Sequence, residues 1–158
     1  MLKLSIAVFF CTIAYSQAYS GGAPVDTCDD MTPKHPFEPK SSAFPYKISL
    51  SKKEVKAGET VDIVIGGKEF KGFLLQVRNG DKAVGQFQIT GSDKFAKAID
   101  CHGTSQSAAT HKNAEAKNNF KLSWKAPKAA GKYTIYATVA ENGASFWARK
   151  PTEIITVF

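Results

Sequence analysis

The sequence predicts an all-β protein: an antiparallel β-sandwich with a proline-rich N-terminal coil tied down by one disulfide. Three observations lead there. Short runs of alternating apolar and polar residues recur along the chain, separated by glycine, asparagine and proline turn signals, with no convincing amphipathic helix. Residues 21–45 contain Pro24, Pro33, Pro36, Pro39 and Pro45, a density that forbids helix and keeps the segment out of a sheet interior. Beyond the N-terminal stretch only Cys28 and Cys101 remain, an even pair.

Residues 1–20, MLKLSIAVFFCTIAYSQAYS, have one early lysine, an apolar centre and then small residues, the pattern of a secretory signal peptide. Cleavage is expected between Ala18 and Tyr19, with Ser20/Gly21 as the other site, giving a signal at 1–18 and one domain at 19–158. No later run is long and apolar enough to span a membrane, so a secreted, extracellular protein is expected. Cys11 leaves with the signal. In an oxidising compartment Cys28 and Cys101 should then bond to each other, pinning the coil to the domain.

The strands follow in order. Tyr46, Ile48 and Leu50 alternate with lysine and serine, and after Lys56-Ala57-Gly58 so do Val61, Ile63 and Ile65. Phe70–Ile89 reads as a hairpin with Phe73, Leu75 and Val77 on one face, a tip at Asn79-Gly80, and Phe87 and Ile89 on the return strand. Leu74 breaks the polar row. From Gly91 to Lys117 the alternation lapses into small polar residues, which predicts a long connection anchored by Cys101. Pattern resumes with Phe120, Leu122 and Trp124, and Tyr133 to Val139 is the longest clean alternation in the chain. After Asn142-Gly143, one or two closing strands are expected, interrupted at Pro151. Gly131-Lys132-Tyr133 is reminiscent of the corner entering the sixth strand of immunoglobulin-like domains, but Ile135 stands where an inter-sheet cysteine would be.

Charge is distributed unevenly. Residues 19–45 carry a net charge of minus two and residues 46–158 plus eight, and of the 21 cationic side chains only Arg78 and Arg149 are arginine. Lysine binds as a mobile point charge, which argues against nucleic acid, where bidentate arginine reads bases. An extracellular polyanion such as lipopolysaccharide, lipoteichoic acid or a charged glycan fits a basic body better, and Lys52, Lys53 and Lys56 form the densest cationic cluster. A merely solvated surface is the plainer alternative. Phe146 and Trp147 are adjacent and on a strand point to opposite faces, so Trp147 is a candidate solvent-facing contact beside Arg149 and Lys150. The alternative buries both rings under the proline-rich cover.

Enzyme signatures are missing: no Gly-x-Ser-x-Gly, His-Glu-x-x-His, phosphate-binding glycine loop or Cys-x-x-Cys. No catalytic residue, cofactor or metal is therefore expected. His35, His102 and His111 could converge, but none has ligand spacing on a regular element. Asp26, Asp29 and Asp30 lack the alternation and glycine of a calcium loop.

Gly22-Ala23-Pro24 with Cys28, Met31-Thr32-Pro33, His35, Pro45-Tyr46, Gly72-Phe73-Leu74-Leu75 with Arg78, Gly85-Gln86-Phe87, Cys101, His111, Trp124-Lys125-Ala126-Pro127 and Phe146-Trp147 together resemble a reeler domain. The whole chain is similar to short insect defence proteins made of a signal peptide and one such domain. The resemblance implies an immunoglobulin-like sandwich, a Cys28–Cys101 disulfide, secretion into haemolymph and a part in innate immunity, with antimicrobial action or recognition of microbial surfaces; lipopolysaccharide, lipoteichoic acid and glucan are the candidate surface polymers. It carries no catalytic residues. An adhesion module that binds a protein or a haemocyte surface is the alternative.

Overall fold

A computed structural model describes residues 20–158; the expected signal segment lies outside the described residues, apart from its last alternative cleavage position. Eleven strands form two sheets among them. The first sheet is ordered β1 (Lys47–Leu50), β3 (Thr60–Gly66), β9 (Phe120–Lys125) and β6 (Gln86–Phe87). The second runs from β2 (Glu54–Val55) through β11 (Ser145–Val157), β10 (Gly131–Asn142), β4 (Gly72–Asn79) and β8 (Thr104–His111) to β7 (Ala96–Cys101), with β5 (Lys82–Ala83) paired to β4. All pairings are antiparallel except β2 with β11, which is parallel.

Period-two burial sets the core. Val61, Ile63 and Ile65 of β3 and Leu122 and Trp124 of β9 face Phe73, Leu75 and Val77 of β4 and Tyr133, Ile135, Ala137 and Val139 of β10, all buried in one cluster. Tyr46 closes the cluster at one end with edge-on contacts to Phe70 and Trp147. Its hydroxyl is buried with no hydrogen-bond partner, and desolvation, with Glu141 nearby, pushes its pKa up to about 12. The folded state therefore holds this proton where the unfolded chain, at its ordinary value of 10.0, has lost it. Stability should fall as pH rises from about 10 to 12, by up to about 3 kcal/mol from this group. Tyr46→Phe should match the parent at pH 7 and lose that alkaline component, as read from urea melts of both chains across the pH range.

Three sequence expectations need correction. First, residues 91–117 are no connection: they hold the β7–β8 hairpin, in which Cys101 pairs with Thr104 around a two-residue turn. His102 and Gly103 take positive φ there, 55° and 74°, as a tight right-twisted hairpin requires. Its strands are built of Ala96, Ala98, Ala108, Ala109 and Thr110, and Ser107 through Thr110 are buried on both faces, so no alternation appears. Second, the hairpin at residues 70–89 is short. Asn79 pairs with Lys82, so Gly80 and Asp81 form the tip, and only Lys82–Ala83 return along β4 before the chain crosses to the first sheet as β6.

Gly85 makes that crossing. Its φ is 70°, and a Cβ placed on it would lie 2.4 Å from the Trp124 indole, whose Nε1 donates to the Val84 carbonyl. Gly85→Ala should cost about 3 kcal/mol, from overpacking plus the left-handed backbone, measured by chemical denaturation.

Third, β11 is one continuous strand through Pro151. β2 covers only its last residues, pairing at Thr156 and Val157, so at Pro151 the strand has an open side where a missing N–H costs nothing.

The proline-rich segment lies on the outer face of the second sheet, after one 3-10 turn at Val25–Thr27. The Cys28–Cys101 disulfide, with Cα atoms 5.6 Å apart, fixes it to the end of β7. A second small core forms beneath it from Met31, Leu74, Ala83 and Ala108 beside the two cysteines. This cover is why β4 is buried on both faces and why Leu74 interrupts its polar row.

Candidate functional site

Polar groups under the coil are engaged in holding it. Arg78, 2% exposed, donates from Nη2 to the carbonyls of Cys28 (2.5 Å) and Asp29 (2.9 Å) and from Nε to Gln76 Oε1 (2.7 Å). Gln76 in turn donates to the Cys28 carbonyl. Burial, with Arg149 nearby, lowers the Arg78 pKa, and its guanidinium lies over the Tyr136 ring. Thr138 donates to the Met31 carbonyl at 2.6 Å. Met31 itself has φ 55° and is fully buried.

The three histidines serve separate structural roles. His102 accepts from the Ala83 N–H and bonds Asp29, His111 accepts from the Phe73 N–H, and His35 stands edge-on to Phe146. Asp26 pairs with Lys34, and Asp30 accepts from the Thr32 N–H. Among the described residues no group of three or more His, Cys, Asp or Glu stands together as a ligand set.

Trp147, the candidate solvent-facing contact, is buried, as the alternative reading has it. It is 6% exposed, packs on Tyr46 in the main core and donates from Nε1 to the Ser42 carbonyl at 3.2 Å. Phe146, on the opposite face of the strand, is fully buried against His35 of the coil. Lys117 is also withdrawn from the surface: its ammonium donates to the carbonyls of Lys71, Asn113 and Glu115 at 2.8–3.0 Å, and burial lowers its pKa.

Lys52, Lys53 and Lys56 are exposed at one end of the sandwich. Lys52 pairs with Glu59 at 3.1 Å and Lys53 with Glu153 at 2.8 Å, both at solvent, where such pairs are weak and exchangeable. Register extends the cluster. Lys125 pairs in β9 with Thr60, Ala126 donates to the Glu59 carbonyl, and the Gly131 end of β10 pairs with Val157, placing Lys125, Lys128 and Lys132 at the same end. Phe158 sits among them: its N–H donates to Val55, its carbonyl accepts from Ala57, and its ring is 60% exposed. Sequence reading missed this ring because a terminal Val-Phe pair looks like the end of a core strand. The outer face of the first sheet, which the coil leaves bare, continues the surface with Lys47 and Lys121, the latter paired with Asp62.

The reeler domain family description matches residues 26–158. This chain belongs to the reeler family. The reeler domain here is 42% identical, over 86% of this chain and 87% of the other, to a protein named "Putative defense protein Hdd11" from Hyphantria cunea. It is 33% identical, over 99% of this chain and 98% of the other, to "Putative defense protein 3" from Antheraea mylitta. The reeler domain of human F-spondin superposes with a TM-score of 0.61 at 14% identity, covering 77% of this chain and 94% of that one, a likeness of fold.

Proposed function

We propose that this reeler protein is a secreted defence protein that binds anionic polymers of microbial envelopes through the lysine-rich end of its sandwich. The observation that carries the reading is the gathering of Lys52, Lys53, Lys56, Lys125, Lys128 and Lys132 around the exposed Phe158 ring. The defence names of full-length relatives support the biological setting. Glu54, Glu59 and Glu153 offset only part of that charge, and the two exposed ion pairs can be given up when a denser anion arrives. Lysines on flexible stems suit repeating phosphates or sulfates of irregular spacing. An apolar ring among them adds contact with sugar or lipid faces.

Binding of the purified protein to lipopolysaccharide, lipoteichoic acid and glucan across a salt series tests this. Affinity for the two charged polymers should fall steeply between low and physiological ionic strength. The triple change Lys52→Glu, Lys53→Glu and Lys56→Glu should weaken it at least tenfold at low salt, while Lys94→Glu with Lys97→Glu, beside and on β7, should change it less than twofold. Salt-independent binding, or a stoichiometric protein or haemocyte partner with no affinity for the polymers, would favour an adhesion role instead.

A further inference from the structure

A cavity of about 130 Å³ lies between the N-terminal coil and the outer face of the second sheet, away from the lysine-rich end. Its floor is Gly72, Leu74 and Ala140, and its roof is Ala23, Pro24 and Met31 of the coil. Small residues create it. Gly72 and Ala140 pair across β4 and β10, and a Cβ on Gly72 would lie 3.5 Å from that of Ala140, so both positions leave the floor empty. The wall hydroxyls are already engaged, Thr27 donating to the Pro24 carbonyl and Thr138 to the Met31 carbonyl. The pocket is half open at its rim and apolar inside, and an apolar pocket of this size suits hydrocarbon: an engineered 150 Å³ apolar cavity binds benzene.

Its rim differs. His35 borders the cavity with a buried Nδ1 that has no hydrogen-bond partner, and the exposed Lys71 borders it with no ion pair among the described residues. A ligand that fills the void with hydrocarbon and places an anion at the rim satisfies both halves of the site. The volume holds about six or seven carbons, by comparison with the benzene cavity.

We propose that this cavity is a binding site for an unbranched aliphatic carboxylate, its tail between coil and sheet and its head group at His35 and Lys71. The site is separate from the polyanion-binding end, so either can fail without the other.

The test is calorimetric titration of the secreted protein with straight-chain carboxylates from butanoate to tetradecanoate, beside alcohols and amines of matched length. Affinity should rise about fourfold per methylene and flatten once the tail outgrows the cavity, near eight carbons. Matched amines should bind at least tenfold more weakly. Ala140→Leu, and separately Ala23→Leu, should weaken octanoate binding at least tenfold, and Lys71→Glu at least threefold, with unchanged melting temperature certifying the fold. Affinity that shows no plateau, equal binding of amine and carboxylate, or undiminished binding by a folded cavity-filled variant would overturn the proposal. Chains beginning at Tyr19 and at Gly21 should bind alike. Binding by the shorter chain alone would mean that the protein's own first residues occupy the void, and would equally overturn it.

Discussion

Replacing Cys28 and Cys101 together by alanine is expected to lower the stability of the protein by roughly 4 kcal/mol, the chain-entropy value for a loop of this length. The bond joins residues 73 apart in sequence, so its loss frees a long segment in the unfolded state. In the native state the consequence is local. Without the bond, the coil is held to the second sheet by hydrogen bonds and the small core around Met31 and Leu74. Urea melts of the variant should show the lowered midpoint. Limited proteolysis should show cleavage moving to sites before Pro45 that the parent protects. An unchanged midpoint would mean that the bond adds nothing to what the hydrogen bonds and the small core already hold.

Arg78→Met should be similarly severe, about 3–5 kcal/mol. The guanidinium is buried, and removing it strands the Asp29 carbonyl and the amide oxygen of Gln76 without donors and leaves the Cys28 carbonyl only the Gln76 amide. Arg78→Lys should not restore the parent, because one ammonium cannot reproduce a planar fork directed at three acceptors on two segments. Arg149→Met, on an exposed pair with Asp81, should cost under about 1 kcal/mol. The cysteine and Arg78 changes act on the same stretch of coil, so their effects should combine to less than their sum, and the double-mutant cycle measures that coupling. Equal costs for Arg78→Met and Arg149→Met would show that the buried network does not hold the coil.

The sandwich was legible wherever one face of a strand meets the core and the other meets water or presents polar side chains. Val61 to Ile65 and Phe120 to Trp124 alternate because the outer face of the first sheet is wetted, and Tyr133 to Val139 alternate because the outward positions under and beside the coil are Thr134, Tyr136 and Thr138, the last bonded to the Met31 carbonyl. The β7–β8 hairpin was not legible, because the coil covers β8 and its side chains are small enough to be buried on both faces. Its turn, His102-Gly103, did carry a signal, a glycine after a residue that tolerates positive φ. The path of residues 83–89 was hidden for another reason: whether a return strand stays in its sheet depends on a distant residue, Trp124, packing against Gly85. The pairing of the two cysteines followed from their number. At the candidate site, the densest lysine run placed Lys52, Lys53 and Lys56 correctly at the surface. Lys125, Lys128 and Lys132 join them only through register, and the exposed aromatic proved to be Phe158 and not Trp147. In sequence both rings occur in apolar runs, and only the tertiary packing distinguishes the one that is sealed.

The sulfur link between Cys28 and Cys101 also turns the first seven strands into a covalent ring. A protease that cuts a single exposed turn inside it, such as the one at Gly58 or the tip at Gly80, opens the ring but detaches no piece. The nicked molecule keeps every strand tethered to its neighbours at high effective concentration, so the damaged sheet can close again. Two cuts within the ring, or one cut there and a reductant, are needed before any part of the ring diffuses away.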